Sequence, residues 1–293
     1  MIKDYYSLTK PGIIYGNLIT LCGGFFLASQ GDIHWEIFIA AISGLSLVVA
    51  CGCVFNNVID RDIDKIMERT KNRPLAQGVI PVKNALLFAV ILGVIGSAIL
   101  LLGTNKLTAL VAVAGLFIYV IIYSYWLKRC SMYATLVGSI SGAIPPVAGY
   151  CAVTNSFDLG ALILFLILGF WQMPHSYAIA IYRLNDYRFA QIPVLPIKKG
   201  IAIAKIHMLI YAVLFVMATI MLTLCNYTGI SYLIIGCGLG VYWLWLIIKG
   251  VHAHDNKKWA RTVFLFSILV ITILAVMMSI DYIGVTHTNI IRN

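Results

Sequence analysis

The sequence predicts an all-α polytopic membrane protein of nine transmembrane helices, and three observations carry that expectation. The 293-residue chain is 61% hydrophobic and only 11% charged, with a mean hydropathy of +0.94; soluble domains are about half apolar and a quarter charged. Nine apolar runs approach the ~20 residues that a helix needs to cross ~30 Å of hydrocarbon: 11–29, 37–59, 84–103, 107–126, 133–152, 159–183, 205–225, 231–250 and 262–283. Nine crossings also leave 19 of the 21 Lys and Arg on one side, with only Lys106 and Arg292 opposite. By the positive-inside rule the N-terminus is then cytoplasmic and the C-terminus outside.

That topology accounts for the net charge of +10 without a nucleic-acid partner. The N-terminal MIKDYYSLTKPG lacks an apolar h-region with a cleavage site, so no removable signal is expected. The seven cysteines show no metal-site spacing and read as small apolar residues. No Pro/Gly/Ser-rich linker divides the chain, so one domain, 1–293, is expected. Connections on the outer side are short. Two on the cytoplasmic side, 60–83 and 184–204, are longer than a link requires and hold five of the eleven acids.

Along the chain, chemistry gathers in a few places. The stretch NNVIDRDIDKIMERTKNRP, 56–74, continues the second run past the membrane surface. At about 100° per residue, Asn57, Asp60, Asp64 and Glu68 fall within about 80° of one another, with Asp62 on the far side. A solvated topology cluster would explain the bases but not the acids, which contribute little to topology. Two carboxylates and an amide suit Mg²⁺, which keeps waters and bridges carboxylates to substrate phosphates. Neighbouring Arg69 and Arg73 would neutralise the remaining phosphate charge. In SYWLKRCS, 124–131, Lys128 and Arg129 occupy a short cytoplasmic turn, where they reach a phosphate or serve as snorkelling anchors. Pro145 and Pro146 predict a kink in the fifth helix. In the sixth, His175 shares a face with Tyr182 and Asp186, about 16 Å below the latter. An ionisable residue at that depth marks function, or a partner for the carbonyl freed by Pro174. His287 reads as a loop residue.

The run N57-x-x-D60-x-x-x-D64 with R69-T70-x-x-R73-P74 resembles the first aspartate-rich motif of the UbiA-type intramembrane prenyltransferases. Together with YSYWLKR, WQMPHSYAIAIYR and DYRFAQIPVLP, it is similar to the haem-prenylating branch of that family over essentially the full length. Quinone-pathway members begin the first motif with Asn-Asp where this chain has Asn56-Asn57. They carry a second D-x-x-x-D after helix 6, where Asp186 is followed by Ala190. Both departures favour the haem branch and leave few carboxylates for a second Mg²⁺.

The resemblance implies a UbiA-type bundle with a central cavity open to the cytoplasmic side of a bacterial inner membrane. It implies transfer of farnesyl from farnesyl diphosphate to the 2-vinyl group of haem B, with addition of water. Asn57, Asp60, Asp64 and Asp186 would be catalytic, the first three holding Mg²⁺. Arg69, Arg73, Lys128 and Arg129 would hold the diphosphate. Haem B, a substrate here and not a cofactor, would meet His175, Tyr182 and Arg183, and the product would pass to a haem A synthase or terminal oxidase assembly. Two alternatives stand beside this: prenylation of an aromatic quinone precursor, and a cation-coupled transporter. Transporters place ion ligands near the midplane, whereas every acid here falls at or beyond a helix end.

Overall fold

A computed structural model of the protein describes residues 1–283. Among them, nine helices are long and apolar enough to cross a membrane. They are α1 (Pro11–Ser29), α2 (Trp35–Ile59), α3 (Val82–Gly103), α4 (Lys106–Cys130), α5 (Ala134–Thr154), α6 (Leu159–Tyr182), α7 (Ile201–Leu224), α8 (Ile230–His252) and α9 (Asn256–Ile280). The predicted roles of His287 and Arg292 fall outside the described residues. Large apolar side chains such as Leu87, Val94, Leu102, Leu110 and Ile234 face outward, as a hydrocarbon solvent permits and water does not.

Several helices begin or end beyond their apolar run, because polar capping continues the ladder where hydrophobicity stops. α9 begins at Asn256, not 262, since the Asp255 carboxylate accepts the N–H groups of Lys257 and Lys258. α4 continues to Cys130, so Lys128 and Arg129 are residues of its last turn and not of a free turn as expected. Cations there also meet the negative end of the helix dipole.

α5 is broken at Ala143 into Ala134–Gly142 and Ile144–Thr154, with Pro145 and Pro146 opening the second piece. This is the bend that two residues without an N–H impose. The second piece packs on α1 at glycines. A Cβ on Gly24 would meet the Pro146 backbone, with its carbonyl carbon at 2.8 Å. A Cβ on Gly149 would fall on the Leu21 carbonyl and 3.0 Å from the Phe25 nitrogen.

The two long connections carry short helices, Arg61–Ile66 in the first and Leu184–Phe189 and Leu195–Lys198 in the second. They cover one end of the bundle together. Ile63 and Met67 of the first connection bury against Ile192 of the second, with Tyr187 and Val194 packed alongside.

Gly24→Ala is expected to lower the thermal unfolding midpoint in detergent, by the equivalent of about 1–3 kcal/mol for overpacking. Gly16→Ala, where a Cβ meets nothing within 4 Å, should leave it unchanged or raise it. Equal behaviour of the two would contradict the α1–α5 approach.

Candidate active site

The acidic stripe is built at the joint between α2 and the helix Arg61–Ile66. Asp60 takes a non-helical ψ of 3°, yet its N–H reaches the Asn56 carbonyl at 2.9 Å and its own carbonyl accepts from Asp64 at 2.7 Å. The unbroken ladder keeps Asn57, Asp60 and Asp64 together, and all three are buried. The chain then leaves the helix at Met67, with ψ 127°. Glu68 therefore does not extend the stripe as predicted: it is exposed and paired with Lys71 at 2.7 Å.

Burial forces each carboxylate to find a cation. Asp60 is paired through Oδ2 with the Lys128 ammonium, and Asp64 through Oδ2 with Arg73 at 2.8 Å. The Asn57 amide donates to the Leu8 carbonyl at 2.8 Å. Two oxygens are left over: Asn57 Oδ1 and Asp60 Oδ1 are fully buried and accept no hydrogen bond among the described residues. Buried acceptors are almost always satisfied, so an orphaned pair one helical turn apart calls for a ligand. A hard cation with oxygen preference fits such donors, and the scarcity of protein ligands fits one that also binds substrate phosphates.

Sequence reasoning missed the third cation here. Lys10, in the left-handed region at φ 52°, sends its ammonium to Asn56 Oδ1 at 2.5 Å. The Asn56 amide in turn donates to the Ser124 hydroxyl at 3.0 Å. Burial, reinforced by the nearby positive charges of Arg73 and Lys128, pushes the Lys10 ammonium down to about 8. A charged residue directly before an apolar run was the available signal.

Lys128 owes its position to an unusual stretch of α4. Residues Ile118–Leu127 form a π-helix. In an α-helix, the nine residues from Tyr119 to Lys128 rotate about 900°, which sets them on opposite faces. The wider i→i+5 turn returns residues 119, 123 and 128 to one side. Tyr119 and Tyr123 stack with centroids 5.8 Å apart, seated against Gly52 and Gly138, where a Cβ would lie 3.0 Å from each ring.

Tyr119, Tyr123 and Lys128 line a cavity of about 420 Å³ between α1, α2, α4, α5 and α6, to which the two long connections add Arg69, Tyr187, Ile192 and Val194. Asn57, Asp60, Asp64 and Arg73 lie behind Lys128 and do not line it. Tyr119, Tyr123 and Trp171 wall it, Arg69 of the first connection and Lys128 of α4 contribute cations, and His175 stands in the α6 wall. Among the described residues Arg69 has no acidic partner. The His175 Nδ1 bonds the Ser267 hydroxyl of α9 at 2.7 Å.

The structure thus brings Asn57, Asp60, Asp64, Arg73 and Lys128 into one cluster, of which Lys128 lines the cavity together with Arg69 and His175. Four other predicted residues lie apart from that cluster. Arg129 is committed to Asp62 on the outer face through two bonds of 2.7 Å. Its guanidinium holds the Asp62 carboxyl down to about 2. That pair contributes above the ordinary carboxylate range and is lost only as pH falls through about 2, a surface contribution of about 0–1 kcal/mol. Asp186 is separated from the His175 face by a break at Arg183, so one continuous helix does not join them. Its carboxylate makes no bond among the described residues. Tyr182 and Arg183 stack on each other at 4.6 Å, with Arg261 of α9 5.9 Å from the same ring, and neither lines the cavity.

An apolar, aromatic-walled cavity with Arg69 and Lys128 in its lining, and the buried acidic cluster behind Lys128, can take a long hydrocarbon ending in a polyanion and promote loss of that anion. The chain belongs to the UbiA prenyltransferase family, whose model matches residues 17–269. It is 58% identical over 281 residues to a protoheme IX farnesyltransferase of Pseudomonas savastanoi pv. phaseolicola, covering 96% of this chain and 95% of that protein. It is 56% identical over 282 residues to the same-named protein of Yersinia pseudotuberculosis, covering 96% of each. Among solved structures, a digeranylgeranylglyceryl phosphate synthase superposes with a TM-score of 0.78 at 21% identity, over 95% of this chain and 98% of that one. A UbiA homolog from Archaeoglobus fulgidus bound to GPP and Mg²⁺ does so with 0.67 at 14% identity, over 94% and 99%.

Lys128→Met is expected to strand the Asp60 carboxylate and destabilise the protein by about 3–5 kcal/mol. Adding Asp60→Asn should recover most of that loss, read by thermal unfolding in detergent. A single variant as stable as the parent would contradict the buried pair.

Proposed function

We propose that this enzyme transfers the farnesyl group of farnesyl diphosphate to the 2-vinyl group of haem B, with addition of water, at the cavity beneath the two long connections. One observation carries the reading of the donor end: two buried, unbonded oxygens beside three cations, one of which, Lys128, joins them to an aromatic cavity. The acceptor is supported by identity above one half, over nearly the whole chain, with proteins named for that substrate.

The chain's residues fit each stage. Arg69, Arg73 and Lys128 hold the diphosphate and stabilise its growing charge as the allylic C–O bond breaks and the electron pair leaves with it. Asn57, Asp60 and Asp64 would hold Mg²⁺, which when bound supplies Lewis-acid stabilisation of that leaving group. Tyr119, Tyr123 and Trp171 present π faces to the allylic cation and keep bulk water from it. The vinyl electrons form the new C–C bond to farnesyl C1. A water oxygen then closes the cation left on the porphyrin side, and its proton is released. His175 ligates the haem iron and fixes which vinyl faces the donor. Arg183, joined by Arg261, meets the propionates at the loop end. Asp186, unpaired beside cavity-lining Tyr187, supplements the donor end.

The membrane in question is a bacterial inner membrane, with the two connections and the N-terminus on the cytoplasmic side and the C-terminus outside. The whole chain acts as one domain and passes its product to a haem A synthase or terminal oxidase assembly.

Purified protein in lipid, given farnesyl diphosphate, haem B and Mg²⁺, should yield a porphyrin heavier by farnesyl plus water on mass analysis. Asp60→Asn and Asp64→Asn should each abolish the product, as should a chelator, while Asp62→Asn retains most of it. Equal loss in all three variants would overturn the one-face donor site.

A further inference from the structure

His175 stands at a boundary. The cavity wall is drawn from α1, α2, α4, α5, α6 and the connections, with no residue of α9. α9 packs behind the histidine, and its Ser267 is fully buried. The Nδ1 edge of the imidazole therefore faces α9, while the residue as a whole belongs to the cavity lining.

The hydrogen bonds on the α9 edge determine where the imidazole proton is. The Ser267 hydroxyl donates to the Phe264 carbonyl at 2.6 Å, and a carbonyl can only accept. A hydroxyl has one proton, so it must act as acceptor in its 2.7 Å contact with His175 Nδ1. Nδ1 then carries the hydrogen. In a neutral imidazole the other nitrogen, Nε2, is left with its lone pair. The ring plane is fixed as well: Trp171, one turn earlier on α6, stacks on His175 with centroids 4.5 Å apart and planes at 26°. The Trp171 indole N–H donates to the Ser267 carbonyl at 2.9 Å. Ser267 thus receives an N–H from two successive turns of α6, one through its backbone and one through its hydroxyl.

We propose that Ser267 is a positioning residue: it fixes His175 in the Nδ1–H tautomer and so presents an unprotonated Nε2 to the cavity as a ligand for porphyrin iron. The second half of this statement rests on the reading of haem as acceptor; the tautomer does not. Histidines that ligate metals commonly donate their other N–H to such a partner, and loss of that partner lowers metal affinity by about 10–100-fold. Phe264, 5.1 Å from the imidazole, completes an aromatic bracket that limits rotation of the ring out of this alignment.

The test uses full-length protein labelled with ¹⁵N-histidine in lipid nanodiscs, with the His175 resonances assigned by their loss in His175→Gln. The parent should show the Nδ1–H form. Ser267→Ala should shift the signal toward Nε2–H or a mixture, and Ser267→Thr, which restores a hydroxyl, should return it. Because Trp171 bonds the backbone of Ser267, the alanine variant should keep the parent's thermal midpoint. An Nε2–H signal in the parent, or an alanine variant with the parent's tautomer, would overturn the positioning role. In parallel, haem B titration followed at the Soret band should show affinity about tenfold or more weaker in Ser267→Ala and largely restored in Ser267→Thr. If His175→Gln binds haem with the parent's affinity and spectrum, iron ligation is overturned while the tautomer result stands or falls separately.

Discussion

Two carboxylates kept out of water govern the loop end of this protein. Asp60 and Asp64 are buried where an uncompensated charge would be prohibitive, so each must be met by a cation. Lys128 comes to Asp60 from the end of α4, and Arg73 comes to Asp64 from within the same connection. Those two pairs tie α2, α4 and the first connection at one point. A buried ion pair is weak evidence for stability, since apolar residues of similar volume often do as well. The orphaned oxygens of Asn57 and Asp60 make the arrangement less stable still. Function explains why a membrane bundle would keep it.

Other features of the fold serve that constraint. The π segment of α4 sets Lys128 on the same side as Tyr119 and Tyr123, which links the charged end to the aromatic wall. Gly52 and Gly138 leave room for those rings. The bend at Ala143 turns the second half of α5 against α1, while the first half forms cavity wall. Helix Ile2–Leu8 folds back so that the Leu8 carbonyl takes the Asn57 amide, leaving the amide oxygen as the orphan. On the side wall, α9 holds His175 from behind without entering the cavity. The result sets two kinds of side chain in one space: Arg69 and Lys128 beside the connections, and an imidazole in the α6 wall.

Much of this was legible in the sequence. Nine spans followed from run length and the placement of Lys and Arg, and the α5 bend followed from Pro145 and Pro146. The grouping of Asn57, Asp60 and Asp64 followed from ordinary helical rotation, because the ladder survives the joint at Asp60. The same rotation failed at Glu68 and Asp186, where backbone breaks at Met67 and Arg183 end the periodicity that placed them. It also could not associate Tyr119 with Lys128, since α-helical geometry sets them opposite and nothing local announces a π-helix. The commitment of Arg129 to Asp62 depends on where α4 meets α2, which is tertiary information. Lys10 and Ser267 left weaker traces, a cation before an apolar run and a polar residue within one; their partners were beyond the reach of sequence.

In the proposed function, the orphaned oxygens and the cations around them hold the donor's diphosphate through a divalent ion. The most direct measurement is a structure of the protein with the non-hydrolysable analogue farnesyl thiodiphosphate and Mn²⁺, whose anomalous signal locates the metal. Metal density bonded to Asn57 Oδ1 and the Asp60 carboxylate, bridging to a diphosphate against Arg69 and Lys128 with the farnesyl chain along Tyr119 and Tyr123, is the result this account requires. A diphosphate bound away from these residues, with the Lys128–Asp60 pair undisturbed and no metal beside it, would contradict it.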